Sequence, residues 1–277
     1  MRPVMRTLGR IAGPGADIVT RARRAPSFRV VGWHRIDTGH GAGGDGLSTP
    51  IADFERQLDV IDSSGAEVLG LAEAVARTAA GTLPERAVVL TFDDGYASVI
   101  EEAWPRLRAR GMPATFFVTS AYVGSSQRFP WDRDPRIPDD LVRLVDESDL
   151  LAAAAEGLDI GSHTVTHPWL PTLPAPELER ELVESRCRLE DLLGVPVTSL
   201  AYPTGGWSGA VRDVAERAGY ETAITVDRGV NQIGRDPLAL RREFAFDRPE
   251  DFAGQLRGAF DWMRPVEWWR RRGGPPC

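Results

Sequence analysis

Asp93 and Asp94 are adjacent in the chain, and His163 and His167 stand four residues apart. Each pair directly follows an apolar run that reads as a strand, Ala87–Phe92 before the carboxylates and Leu158–Gly161 before the imidazoles. Asp94, His163 and His167 make a two-His, one-carboxylate set of the kind that holds Zn²⁺ in hydrolases and leaves positions open. The same set can form the facial triad of an Fe(II) oxygenase. Asp93 favours the first reading. An oxygenase has no use for a second carboxylate there, whereas a metal hydrolase needs a general base. Taken alone, an Asp-Asp pair is commonly a helix cap or turn, and His-x-x-x-His a surface pair. Their joint occurrence after strands gives them weight.

The elements that must position these residues alternate. Phe28–Trp33, Ala87–Phe92, Ala114–Val118, Leu158–Gly161, Val197–Ala201, Thr222–Val226 and Glu243–Phe246 are short apolar runs that predict strands. Between them, Phe54, Leu58 and Ile61 fall at i, i+4, i+7. Further helices are expected over 71–80, 98–110, 141–155, 177–193, 209–218 and 250–263. Gly111 and Gly194, each with a Pro two residues on, are stop signals. Gly39–Pro50, Gly124–Asp140 and Pro168–Pro176 read as loops. Alternation of this kind predicts a parallel sheet in one α/β domain. His34, Asp93-Asp94, His163/His167 and the turn at Tyr202-Pro203 each follow a different strand. A closed barrel gathers the C-terminal ends of many strands around one cavity, whereas an open sheet gathers only those near its switch point. A (β/α) barrel is therefore expected. It would occupy residues 26–265, between a leader, 1–25, and a tail, 266–277.

Composition narrows the function classes. The net charge of -7 argues against a nucleic-acid partner. All 33 basic residues are Arg, which excludes Schiff-base chemistry on a lysine. Cys187 and Cys277 have neither disulfide nor metal-site spacing. No apolar run approaches the roughly 18 residues of a membrane span, and the leader lacks the apolar core of a secretory signal. A cytoplasmic location is expected. Arg21, Arg23 and Arg24, and the tail with Trp268, Trp269 and Arg270–Arg272, could touch an anionic membrane surface.

Thr91-Phe92-Asp93-Asp94-Gly95-Tyr96 resembles the first signature of the polysaccharide deacetylase family (NodB homology, carbohydrate esterase family 4). Ser162-His163-Thr164-Val165-Thr166-His167 resembles its second, and Ala201-Tyr202-Pro203-Thr204-Gly205, imperfectly, its third. The resemblance runs from about Val30 to Phe246. It implies a distorted (β/α)7, TIM-like barrel that removes N-acetyl groups from amino sugars, giving acetate and free amine. It implies that Asp94, His163 and His167 bind a divalent metal, usually Zn²⁺, with Co²⁺, Ni²⁺, Mn²⁺ or Fe²⁺ as alternatives. Asp93 would be the base that takes a proton from water held at the metal. The Thr204 N–H would help hold the oxyanion, where losing one donor typically costs about 2.7–4 kcal/mol. The implied partner is an N-acetylated saccharide or glycoconjugate. The oligomeric state is open.

Two departures from the family pattern matter. Ala201 stands where the third signature usually has an Arg tethered to the base; Arg242 is the candidate replacement, against the plain alternative of a surface Arg on an edge strand. The family's late general-acid His is missing, since no His follows His167. Leu240-Arg241-Arg242 offers only Arg, which cannot release a proton near neutral pH. His34 and His40 remain. His34 ends the first strand, and Trp33-His34-Arg35-Ile36 resembles the permuted branch that includes the poly-β-1,6-N-acetylglucosamine deacetylases. His34 is therefore the expected acid. Trp33, Trp131, Tyr202 and Trp207 are expected to line a sugar cleft with Pro203; Tyr96 could serve there or in the core. Competing readings are hydrolysis of another C–N bond (a cyclic imide, ureide or formamido sugar) and a non-catalytic carbohydrate-binding relative.

Overall fold

The computed structural model describes residues 26–39, 46–134 and 136–264. Its eleven strands are β1 (Ser27–Trp33), β2 (Arg35–Asp37), β3 (Ser48–Pro50), β4 (Glu67–Val68), β5 (Ala87–Phe92), β6 (Thr115–Val118), β7 (Asp159–Ser162), β8 (Ser199–Ala201), β9 (Thr222–Ile224), β10 (Asn231–Gln232) and β11 (Glu243–Phe244). Strands β1, β5, β6, β7, β8 and β9 lie side by side in that order, all parallel. The segment 240–244 closes the ring. Leu240 bridges Ile224 on β9, and β11 pairs in parallel with β1 through Val31–Glu243 and Gly32–Phe244. Seven strand positions thus enclose one interior, the distorted barrel expected from the sequence.

Successive side chains of a strand point to opposite faces. The interior is filled by Phe28, Val30, Val89, Phe117, Ala201 and Ile224. The alternate residues, among them Val31, Trp33, Leu90, Phe92, Phe116 and Val118, pack outward under helices. Helix α1 (Ile51–Ser64) buries Phe54, Leu58 and Ile61, each worth about 1.5–3 kcal/mol of burial. Around the ring follow α2 (Leu71–Ala80), α3 (Trp104–Ala109), α4 (Glu147–Ala155), α5 (Ala175–Leu193), α6 (Gly209–Arg217) and α7 (Pro249–Leu256).

Several expected elements differ. The stretch expected to be helical over 98–110 is split: Val99–Ala103 forms a π turn before α3. Pro105, at the start of α3, lacks the N–H that a continuous ladder requires. The helix expected over 141–155 begins only at Glu147. Val145 N–H donates to Gly95 O and Leu144 bridges Tyr96, which draws 143–145 into extended contact; Asp146 then caps α4 by accepting from Asp149 N–H. The helix expected over 250–263 ends at Leu256 and gives way to a turn at Gly258, φ 84°. Ser48–Pro50, read as loop, pairs with Arg35–Asp37. No helix among the described residues is long and apolar enough to cross a membrane. The leader and the whole of the tail, Cys277 included, lie outside the described residues; Cys187 is an exposed free thiol.

Candidate active site

The C-terminal strand ends assemble one cluster. Asp93 and Asp94 leave β5, and His163 leaves β7. His163 Nε2 lies 3.5 Å and His167 Nε2 3.6 Å from the same atom, Asp94 Oδ1. A tetrahedral ion with bonds of about 2.1 Å would set its donors about 3.4 Å apart. The three side chains fit a divalent cation, and they are the only such group found among the described residues. His163 Nδ1 is 2.7 Å from the carbonyl of Ala201. That contact makes Nδ1 the donor and leaves the Nε2 lone pair facing Asp94 and His167.

The backbone is bent to make this cluster. Among the described residues, the non-glycine residues with positive φ are Asp94 (78°), Thr164 (68°), His167 (63°) and Thr204 (50°), all in the loops of the site. The left-handed region costs a non-glycine residue of order 1–3 kcal/mol, so such residues persist only where surroundings over-determine them. Glu181 on α5 does this for the His loop. Its buried carboxylate accepts from the N–H groups of Val165 and Thr166, both at 2.9 Å, and from Thr166 Oγ1 at 2.7 Å. Glu181 was not anticipated. The sequence shows it only as one Glu on an amphipathic helix.

Arg242 is fully buried, not an exposed edge residue, and its two terminal nitrogens each lie 2.6 Å from an oxygen of Asp93. Asp93 Oδ2 is 4.0 Å from His163 Nε2. Burial raises the Asp93 carboxyl, but Arg242, with His163 and His34 nearby, outweighs it and holds Asp93 below the usual carboxylate range. Asp94 is held low against burial by its contact with His163 and by His34 and His167. Burial, reinforced by His163, draws His167 down to about 4. His163 goes the other way. Burial lowers it, yet the carboxylates of Asp93 and Asp94 lift it above the usual imidazole value.

His34, partly exposed, stacks on Phe244 with ring centroids 4.4 Å apart. Burial lowers its pKa, Asp94 and Asp93 pull it up, and Arg242 and His163 push it down. His40 lies outside the described residues.

Trp131 is 39% exposed and stands edge-on to His167, centroids 4.7 Å apart. It stacks on Phe129 and donates from Nε1 to Tyr96 Oη at 3.0 Å. Tyr96 in turn donates to Asp132 Oδ2, and Asp132 Oδ1 is held by Arg35, each at 2.5 Å. This buried chain seats Trp131 at the mouth of the site; Asp132 and Arg35 were not anticipated. Thr204 is exposed at the tip of the third loop, with its hydroxyl donating to Pro203 O.

Some expected cleft residues point elsewhere. Tyr202 is buried among the α5 and α6 side chains, and its hydroxyl donates to Leu238 O. Pro203 is buried too, so this loop offers Thr204 and backbone, not the Tyr202 ring. Trp33 faces outward into the core, with Nε1 donating to Gln57 Oε1. Trp207 is half-buried and donates to Asp227. In each case strand parity or an indole partner, invisible in the loop sequence, decided the direction.

Comparison with known proteins matches this arrangement. Residues 80–223, just over half the chain, match the family model described as polysaccharide deacetylase. The chain is 26% identical over 223 residues to YxkH of Bacillus subtilis, a protein named with the polysaccharide deacetylases; the match covers 80% of this chain and 72% of that one. It is 32% identical over 116 residues to the poly-β-1,6-N-acetyl-D-glucosamine N-deacetylase of Escherichia coli K12, covering 42% of this chain but 16% of that protein. The fold superimposes on the Streptococcus pyogenes deacetylase PplD, solved with acetate (TM-score 0.71, 21% identity, 83% and 99% of the two chains). It also superimposes on IcaB from Ammonifex degensii (TM-score 0.71, 24% identity, 84% and 98%). Both structural matches speak to the fold. With the family model spanning both Asp-Asp and His-x-x-x-His, the chain belongs to the polysaccharide deacetylase family.

Proposed function

We propose that the protein is a divalent-metal-dependent hydrolase that removes the N-acetyl group from an amino sugar of the N-acetylglucosamine type, in a saccharide or glycoconjugate. The observation that carries this reading is a three-donor cluster beside a second carboxylate, Asp93, clamped on both oxygens by one buried guanidinium. Asp94, His163 and His167 would hold the cation, with Zn²⁺ the expected ion. When bound, such an ion supplies Lewis acidity, polarising the acyl oxygen and acidifying water.

The chain's own residues supply the rest. Asp93, ionised and fixed by Arg242, accepts the proton of the attacking water. His34 donates a proton to the departing amine, a poor leaving group unless protonated. The Thr204 N–H would donate to the developing oxyanion. Trp131 offers a ring face to the apolar side of a sugar. Water and amide thus give acetate and free amine. The name of the Escherichia coli relative supports the substrate class, although this chain covers only a small part of that protein.

The test is to incubate purified protein with N-acetylglucosamine oligomers and, separately, with a cyclic imide, following acetate and amine. Release of both from the oligomers alone supports the reading; hydrolysis of the imide alone sinks it.

A further inference from the structure

Strands β1 and β11 pair in parallel, with Gly32 opposite Phe244. By alternation, Gly32 on β1 and His34, just past its end, point to one side, as do Arg242, just before β11, and Phe244 on it. Gly32 leaves a gap on that face. A Cβ there would lie 3.0 Å from Phe244 Cε1 and 3.2 Å from Arg242 Cδ. The Phe244 ring occupies the gap. His34 stacks on it at 4.4 Å with planes 22° apart, and the Arg242 guanidinium carbon lies 4.9 Å from its centroid. Arg242 Nε is buried with no hydrogen-bond partner, so the guanidinium is held by Asp93 at its tips and by the ring at its face.

We infer that Phe244 is a positioning residue: its ring, seated in the space left by Gly32, separates His34 from Arg242 and holds the imidazole in a protonatable pose. The inference rests on the acid role of His34 given above. Without a spacer, two cations on adjacent strands would approach across a poorly screened interior. An aromatic face attracts a cation within about 6 Å of its centroid, so the ring steadies an imidazolium that Arg242 would otherwise disfavour. The charged groups facing His34 are Asp93 and Asp94 from the end of β5, His163 and His167 from the loop after β7, and Arg242. Asp247 lines the same cavity of about 290 Å³ as His34, Phe244, Ser48 and Thr49. Of these groups, only Arg242 shares the Phe244 ring with His34.

Three variants test the inference: Phe244→Leu removes the π face at similar volume, Phe244→Tyr keeps it, and Gly32→Ala crowds it. In each, the His34 imidazole is titrated by NMR in metal-free protein, and kcat and KM are measured against pH in the zinc-loaded enzyme. Phe244→Leu should lower the His34 midpoint by about 0.4–0.7 pH units, the equivalent of a cation–π contact of 0.5–1 kcal/mol at 1.36 kcal/mol per unit. It should move the alkaline limb of kcat by the same amount, with KM and bound zinc unchanged. Phe244→Tyr should restore both, and Gly32→Ala should shift the midpoint without removing the ring. An unchanged midpoint in Phe244→Leu, or a Tyr variant no better than Leu, overturns the inference. A shifted midpoint with an unchanged kcat profile supports the spacer role and removes His34 as the acid.

Discussion

Arg242→Met is the sharpest perturbation of the proposed chemistry. The substitution keeps an unbranched apolar side chain in a fully buried position but removes both contacts to Asp93, each 2.6 Å long. Breaking a buried ion pair by removing one partner costs about 3–5 kcal/mol, because the remaining charge is left uncompensated. For a domain of this size 1 kcal/mol moves Tm by about 2–4 °C, so the variant should melt roughly 6–20 °C lower. Asp93, freed of its guanidinium, keeps only His163 and His34 against the burial that raises its pKa, so the carboxyl moves up. It also loses its fixed orientation. A general base contributes about 10²–10⁴-fold, and kcat should fall within that range while KM stays near the wild-type value. The double variant Arg242→Met/Asp93→Asn separates the two effects. It removes both charges and should recover most of the lost stability but none of the activity. The assays are acetate release from an N-acetylglucosamine oligomer, thermal melts and bound-metal analysis. If Arg242→Met keeps kcat within about twofold of wild type with Asp93 intact, Asp93 is not the base that Arg242 prepares.

Glu181→Gln leaves Val165 and Thr166 with a weaker, uncharged acceptor; metal affinity should drop about 10–100-fold, read by competition with a chelator, with the residual enzyme saturable by excess metal. The pH profile of kcat/KM should fall on its alkaline side below the ordinary imidazole value of about 6.5, because the net environment lowers His34 and the acid must be protonated to act. In His34→Gln that limb should vanish along with most of the turnover; an unchanged limb would assign it to another group. Trp131→Ala removes the exposed ring beside His167; KM for oligomers should rise several-fold more than KM for the monosaccharide, with bound metal unchanged.

Much of this site was visible in the residue order because a parallel barrel makes function local in sequence. Each strand end contributes a short motif, so Asp93-Asp94 and His163-x-x-x-His167 could be read as units. Their placement after strands implied a common cavity. Arg242 was reachable only as a position. Its burial and its grip on Asp93 depend on the 240–244 segment closing the ring between β9 and β1, a long-range pairing without local signature. Glu181 and Asp132 were illegible for a related reason: each acts on a loop from another element, and buried polar partners leave no periodic trace. Tyr202 and Trp33 show the opposite failure. Both sit beside the signatures, but side-chain alternation turned one into the α5–α6 core and the other toward Gln57. The late start of α4 at Glu147 follows from Leu144 and Val145 pairing with the Asp-Asp loop, which no helical propensity reports.

The central claim is that Asp94, His163 and His167 hold one catalytic divalent ion. Its most direct measurement is activity against bound metal: strip the protein with a chelator, titrate Zn²⁺ back, and follow acetate and amine release from an N-acetylglucosamine oligomer. The account predicts no turnover in the stripped protein and recovery that saturates at one ion per chain. It also predicts that neither tight binding nor recovery occurs in Asp94→Ala or His163→Ala. Full turnover without metal, or one-ion recovery that survives loss of Asp94, would contradict it.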